Sequence, residues 1–101
     1  MQKFYVYIIA SSRNGTFYIG FNSDLSRRIC EHKNKIIKGF AAKYNINLLV
    51  YYEEFSAPID AIRREKQLKK LNRQVKLELI ERVNPQWKDL YIEELSKEDC
   101  I

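Results

Sequence analysis

A chain of 101 residues has room for one domain with one modest hydrophobic core, because a domain this size buries only about 60–65% of its unfolded-chain surface. Its 46% hydrophobic and 13% aromatic content, with three glycines and two prolines, excludes disordered and fibrous classes. The net charge of +5, from 18 Lys plus Arg against 13 Asp plus Glu, is unevenly spread. Arg63, Arg64, Lys66, Lys69, Lys70, Arg73 and Lys76 face the single acid Glu65 over their stretch, whereas the tail from Asp89 onward is acidic. Such a basic run is either a solvated helix face or a patch that attracts phosphates.

Cys30 and Cys100 are far apart and have no paired spacing. That pattern predicts free thiols in a reducing compartment rather than a disulfide framework or a zinc site. The apolar run Phe4 to Ala10 is too short and too strand-like for a signal peptide or a membrane span. The expectation is a cytoplasmic protein with no membrane partner.

Along the chain, Phe4 to Ala10 alternates, with Phe4, Val6, Ile8 and Ala10 on one face and Tyr5, Tyr7 and Ile9 on the other. Thr16 to Gly20 alternates likewise, opposing Phe17 and Ile19 to Tyr18 and Gly20. Asn14-Gly15 between them predicts a two-residue type I′ hairpin with Arg13 opposite Thr16. In that register, and in a four-residue loop about the same turn, Tyr7 and Tyr18 share a sheet face. Asp24 is placed to cap a helix from Leu25 to about Ile37, with Leu25, Ile29 and Ile36 as an apolar stripe and Gly39 as its stop. Arg27 points to the opposite side.

Phe40 to Asn47 reads as a connecting loop, and Leu48 to Phe55 as a third strand. Pro58 opens a second helix that runs to about Leu71. A further amphipathic helix has Val75, Leu79, Ile80 and Val83 as its apolar positions and ends at Asn84-Pro85. Trp87, Leu90, Tyr91 and Leu95 form a C-terminal packing segment. The expected fold is α/β, in the order β-β-α-β-α-α: one domain over residues 1–101, with a core of about 4–83 and a packing segment over 84–101.

Five polar groups do not fit this pattern. Glu65 falls between Ile62 and Leu68 on the inward arc of the second helix. A carboxylate there is either a structural ion-pair partner or a ligand for a hard cation. His32, the sole histidine, lies in the apolar stripe of the first helix with Arg28 one turn earlier. A lone histidine there is often structural, but an adjacent arginine suits a phosphate or carboxylate. Tyr7 and Tyr18 could simply fill a core with their hydroxyls at the rim.

Tyr5-Val6-Tyr7, then Tyr18-Ile19-Gly20, then Arg28, His32 and Glu65 together resemble the GIY-YIG endonuclease superfamily. The chain is most similar to the small stand-alone members related to the N-terminal nuclease domain of the excision-repair endonuclease. The stretch Gly39 to Asn45, the run Arg64 to Lys69 and the stretch Asn84 to Leu90 match that subgroup too, so the resemblance extends from Phe4 to about Leu95. Tyr5 stands where the motif's name has glycine, as it commonly does among stand-alone relatives. No appended targeting domain accompanies the match, so the resemblance supplies no target and leaves room for a targeting protein partner.

The resemblance implies a three-stranded antiparallel sheet flanked by helices, and hydrolysis of phosphodiester bonds in DNA, in repair or processing. It implies Tyr7, Tyr18, Arg28 and His32 as catalytic residues, Gly20 as the motif glycine, and Glu65 as ligand to one Mg2+ or Mn2+ ion. Either tyrosine would position or deprotonate water, its pKa lowered by Arg28 and the metal. Arg64, Lys66, Lys69, Lys70 and Arg73 would hold the nucleic-acid backbone without reading sequence. Two rivals stand beside the endonuclease: a non-catalytic nucleic-acid-binding module, and a protein-interaction domain for an acidic partner. The sequence leaves open the oligomeric state, and whether the substrate is duplex, branched or damaged DNA, or RNA.

Overall fold

In the structure, a computed structural model that describes residues 2–95, three strands form an antiparallel sheet. They are β1 (Phe4–Ala10), β2 (Phe17–Asn22) and β3 (Leu48–Phe55), ordered β2-β1-β3. The alternation along β1 sorts the core in two. Val6, Ile8 and Ala10 join Ile19, Ala61, Leu68 and Ile80 on one face. Tyr7 and Ile9 join Leu25, Ile29, Ala41 and Tyr91 on the other. Accordingly α1 (Leu25–Lys33), α2 (Phe40–Lys43) and α5 (Leu90–Glu94) lie on the Tyr7 face, and α3 (Pro58–Lys70) and α4 (Arg73–Val83) on its opposite. The result is three layers around a sheet buried on both sides.

The hairpin differs from its expected turn but keeps its faces. Tyr7 pairs with Gly20, Ile9 with Tyr18 and Ala10 with Phe17, and Ser11 N donates to Thr16 O at 3.0 Å. The loop is therefore Ser12 to Gly15, and Arg13 does not pair with Thr16. Only Asn14 has the positive φ, 59°, that a type I′ turn needs at both central positions. Gly15 is required for close approach instead: a Cβ there would lie 2.3 Å from Ser11 Oγ and 2.9 Å from Ser12 N. The register moves by two residues, and an even shift leaves every side chain on its face. On the other edge a bulge sets Ile8 against Tyr51 but Ile9 against Leu49. Val50 and Tyr51, consecutive in the chain, therefore enter the same core cluster.

Asp24 caps α1 as expected, its Oδ1 accepting from Arg27 N at 3.3 Å. The helix stops at Lys33, short of Ile37. Lys35 takes the left-handed conformation (φ 56°), and its N–H and that of Ile36 donate back to His32 O and Glu31 O. This is a Schellman closure with lysine where glycine is usual. It puts Ile36 in solvent, and Gly39 (φ 128°) serves instead as the N-cap of α2, inside the expected loop. In α4, Ile80 is buried and Leu77 and Leu79 pack beside it, whereas Val75 and Val83 are exposed, so the expected inward set is half right. Cys30 is disulfide-bonded rather than a free thiol. Cys100 lies outside the described residues.

Asn84, buried at the end of α4, joins three segments. Its Nδ2 donates to Val50 O (3.1 Å) and Lys88 O (2.9 Å), and its Oδ1 accepts from Lys88 N (3.0 Å). Asn84→Ala leaves those buried partners unpaired, so urea denaturation should show a loss of about 2 kcal/mol.

Candidate active site

The cross-strand pair Tyr7 and Gly20 organises the site. A Cβ on Gly20 would lie 2.3 Å from Tyr7 Oη and 2.4 Å from its Cζ, so the phenol lies flat across β2 only because residue 20 has no side chain. This carries the hydroxyl away from its own central strand onto the edge strand. There Tyr7 Oη shares a buried hydrogen bond with His32 Nε2, at 3.1 Å. Tyr18 lies on the same face, as the hairpin parity requires, with its ring centroid 5.6 Å from that of His32; the Tyr7 ring is 5.9 Å away. The imidazole thus contacts one tyrosine that is 2% exposed and one that is 36% exposed.

One turn before His32, Arg28 brings its guanidinium to the same site. Its Nε is buried and has no hydrogen-bond partner among the described residues; Glu31 Oε1 stands 3.7 Å from it. Glu31 also pairs with Arg27, whose side chain is 75% exposed and points into solvent as expected. Asn22, Ser23, Asp24, Arg27, Arg28 and Glu31 line a polar recess at this end of α1. Sequence reading missed Glu31, although its spacing from both arginines, three and four residues, was a visible signal.

Glu65 arrives from an unexpected side. Its helix, α3, packs with Ala61 and Leu68 on the face opposite Tyr7, so Glu65 does not project from the layer that holds Arg28 and His32. Its side chain is one-fifth exposed and pairs with Lys69 Nζ at 3.1 Å. Its charge is nonetheless felt at the Tyr7 hydroxyl, together with those of Arg28 and Glu31. As a single, part-exposed carboxylate it is the kind of ligand offered to a hard cation that keeps most of its hydration shell. Among the described residues no group of three or more His, Cys, Asp or Glu could form a fuller cage.

The electrostatics correct one expectation. The Tyr7 hydroxyl is held well above the ordinary tyrosine range, first by burial and then by Tyr18; Arg28 opposes this, and Glu65 and Glu31 add to it. Desolvation outweighs the arginine, so Arg28 by itself does not lower the phenol below its ordinary range. His32 is pushed below the ordinary histidine value, first by burial and then by Arg28, with Glu31 opposing. Both groups are neutral at neutral pH.

Two members of the basic run are engaged in the fold. Arg64 Nε donates to both oxygens of Glu53, at 3.1 and 3.0 Å, and Glu53 also accepts from Tyr51 Oη. Arg73 donates to Gly15 O at 2.7 Å and lies over the Phe17 ring, 4.6 Å from its centroid. Lys66, Lys69 and Lys70 remain exposed, with Lys69 beside Glu65.

A small layered α/β domain with a tyrosine–histidine pair beside an arginine on the sheet edge defines the class of this protein. Residues 3–78 match the model of the GIY-YIG catalytic domain, and the chain belongs to the GIY-YIG family. It is 38% identical to a UPF0213 protein of Staphylococcus saprophyticus, over 79% of this chain and 96% of the relative. It is 37% identical to one from Halobacterium salinarum, over 68% and 88%. The solution structure of a UPF0213 protein from Bacillus halodurans shares the fold, with a TM-score of 0.55 at 24% identity over 98% of this chain and 99% of the other. Among the described residues no helix is long and apolar enough to cross a membrane.

Gly20→Ala should displace the Tyr7 ring and cost about 1–3 kcal/mol in chemical denaturation, with loss of the His32 imidazole's coupling to Tyr7 in NMR spectra. Because the His32 pKa is lowered on folding, the unfolded chain takes up that proton first. Stability from this source is therefore intact above about pH 6.5 and falls as the pH drops below it. Parallel melts between about pH 7.5 and 5 should show a shallower slope for His32→Gln.

Proposed function

We propose that the protein is a divalent-metal-dependent endonuclease that hydrolyses phosphodiester bonds in DNA, in repair or processing. The observation that carries this reading is the Tyr7–His32 hydrogen bond beside the guanidinium of Arg28, whose Nε makes no hydrogen bond among the described residues. The solvent-facing part of the Arg28 guanidinium, whose side chain is 36% exposed, receives a phosphate oxygen and offsets the charge that grows on it in the transition state. Neutral His32 is the proton acceptor. Tyr7, which holds its own proton, passes one from water to Nε2 rather than acting as a free phenolate. Tyr18, exposed beside the same imidazole, orients the water or the substrate.

Glu65 would hold a magnesium or manganese ion, which when bound polarises a phosphate oxygen. Lys69 engages only Oε2 of Glu65, which leaves Oε1 for a cation, and Lys69 would stand with Lys66 and Lys70 along the backbone. The Glu65–Lys69 pair also favours a second reading, a nucleic-acid-binding module without turnover. Incubation of supercoiled, branched and single-stranded DNA with magnesium, manganese or chelator separates the two.

Glu65→Gln should abolish metal-dependent cleavage while DNA binding stays nearly intact; wild-type-like cleavage would end the ligand assignment. Arg28→Ala should slow cleavage by about a hundredfold or more in single-turnover assays. Reversing Lys66, Lys69 and Lys70 to glutamate should weaken binding to all DNA sequences about equally and flatten its salt dependence. An unchanged slope would make that lysine face a solvated helix surface only.

A further inference from the structure

The segment from Lys35 to Tyr44 has a combination that neither the fold nor the catalytic reading uses. Ile36, Phe40 and Tyr44 are 63%, 52% and 50% exposed, and the Phe40 and Tyr44 rings touch, with centroids 4.9 Å apart. Lys43 Nζ sits over the Tyr44 ring at 5.4 Å. Between Glu31 and Glu53 the chain has no acid but four lysines: Lys33, Lys35, Lys38 and Lys43. Lys33 is engaged by Asp89; the other three are exposed and form no ion pair among the described residues.

Placement gives the patch its meaning. Ala41 anchors α2 in the same core cluster as Tyr7 and Ile29, so Phe40 and Tyr44 flank it on the layer that also carries Arg28 and His32. The basic helix α3 lies on the opposite layer. A polyanion laid across the Tyr7 layer meets Lys35, Lys38 and Lys43 there, a second set of cations besides those of α3 on the other layer.

We propose that Phe40 and Tyr44, with Lys35, Lys38 and Lys43, form a base-stacking surface for an unpaired nucleic-acid segment. The proposal rests on the nuclease reading for its role beside the scissile bond. Exposed rings interleaved with unpaired lysines are how single strands are held: the cations attract phosphates, and the ring faces take unstacked bases without regard to sequence. A continuous duplex hides its base faces within its own stack, so only strands, flaps or gaps use the rings.

The test is fluorescence anisotropy of a labelled mixed-sequence single strand and of the matching duplex, in chelator so that nothing is cut. Phe40→Ala with Tyr44→Ala should weaken strand binding at least about tenfold and change duplex binding little. Phe40→Tyr with Tyr44→Phe should retain strand binding, which separates stacking from folding. Changing the three lysines to glutamine should reduce the strand's salt slope by about two. Wild-type strand binding by the double-alanine variant, with native circular dichroism, overturns the proposal whatever cleavage does. So does a patch that supports self-association in sedimentation while strand binding is unchanged. If the wild-type protein cuts no DNA with magnesium or manganese, the nuclease reading fails, and the strand-binding loss still supports the surface.

Discussion

The contact on which the rest of the site depends is the phenol of Tyr7 lying across Gly20. A tyrosine on the central strand would ordinarily point straight into its helical layer. Here the missing side chain on the neighbouring strand lets the ring tilt sideways, with no clearance to spare. That tilt brings the hydroxyl to His32 Nε2 and leaves the imidazole between two tyrosine rings. It also moves the hydroxyl toward β2, an edge of the sheet, where a charge on the opposite helical layer can act on it. The motif glycine is thus explained by a distance, not by backbone conformation.

Burial then sets the chemistry. Removing Tyr7 and His32 from water favours the neutral form of each, so one is pushed up and the other down. The nearby cation, Arg28, acts to lower both but does not overcome desolvation of the phenol. A neutral donor hydrogen-bonded to a neutral acceptor is a conduit for a proton rather than a store of negative charge. This suits concerted transfer through Tyr7 better than attack assisted by a preformed phenolate.

Charge counting along the chain proved a poor guide to the charged surface. Seven cations between Arg63 and Lys76 suggested one continuous patch. In three dimensions Arg64 is clamped by Glu53, and Arg73 holds the hairpin loop. In the shorter, less conspicuous lysine series about α2, Lys35, Lys38 and Lys43 form no ion pair among the described residues, and the segment packs on the layer of the catalytic candidates. A cation's availability depends on its partners, and those come from distant segments.

Much was legible in the sequence because it depends on local rules. Period-two alternation marked β1, β2 and their faces; Asp24 and Pro58 marked the helix starts; and β3 was found at its observed bounds. The pairing of Tyr7 with Tyr18 on one face survived a misjudged turn because only the parity of the register matters. What tertiary structure alone decided were the features that need a partner from elsewhere. They include the layer from which Glu65 approaches, the clamps on Arg64 and Arg73, and the bulge at Val50. The raised pKa of Tyr7 belongs with them. Spacing in a chain determines which way a residue faces within its own element. How deeply it is buried, and beside which charge, is decided only when the layers close.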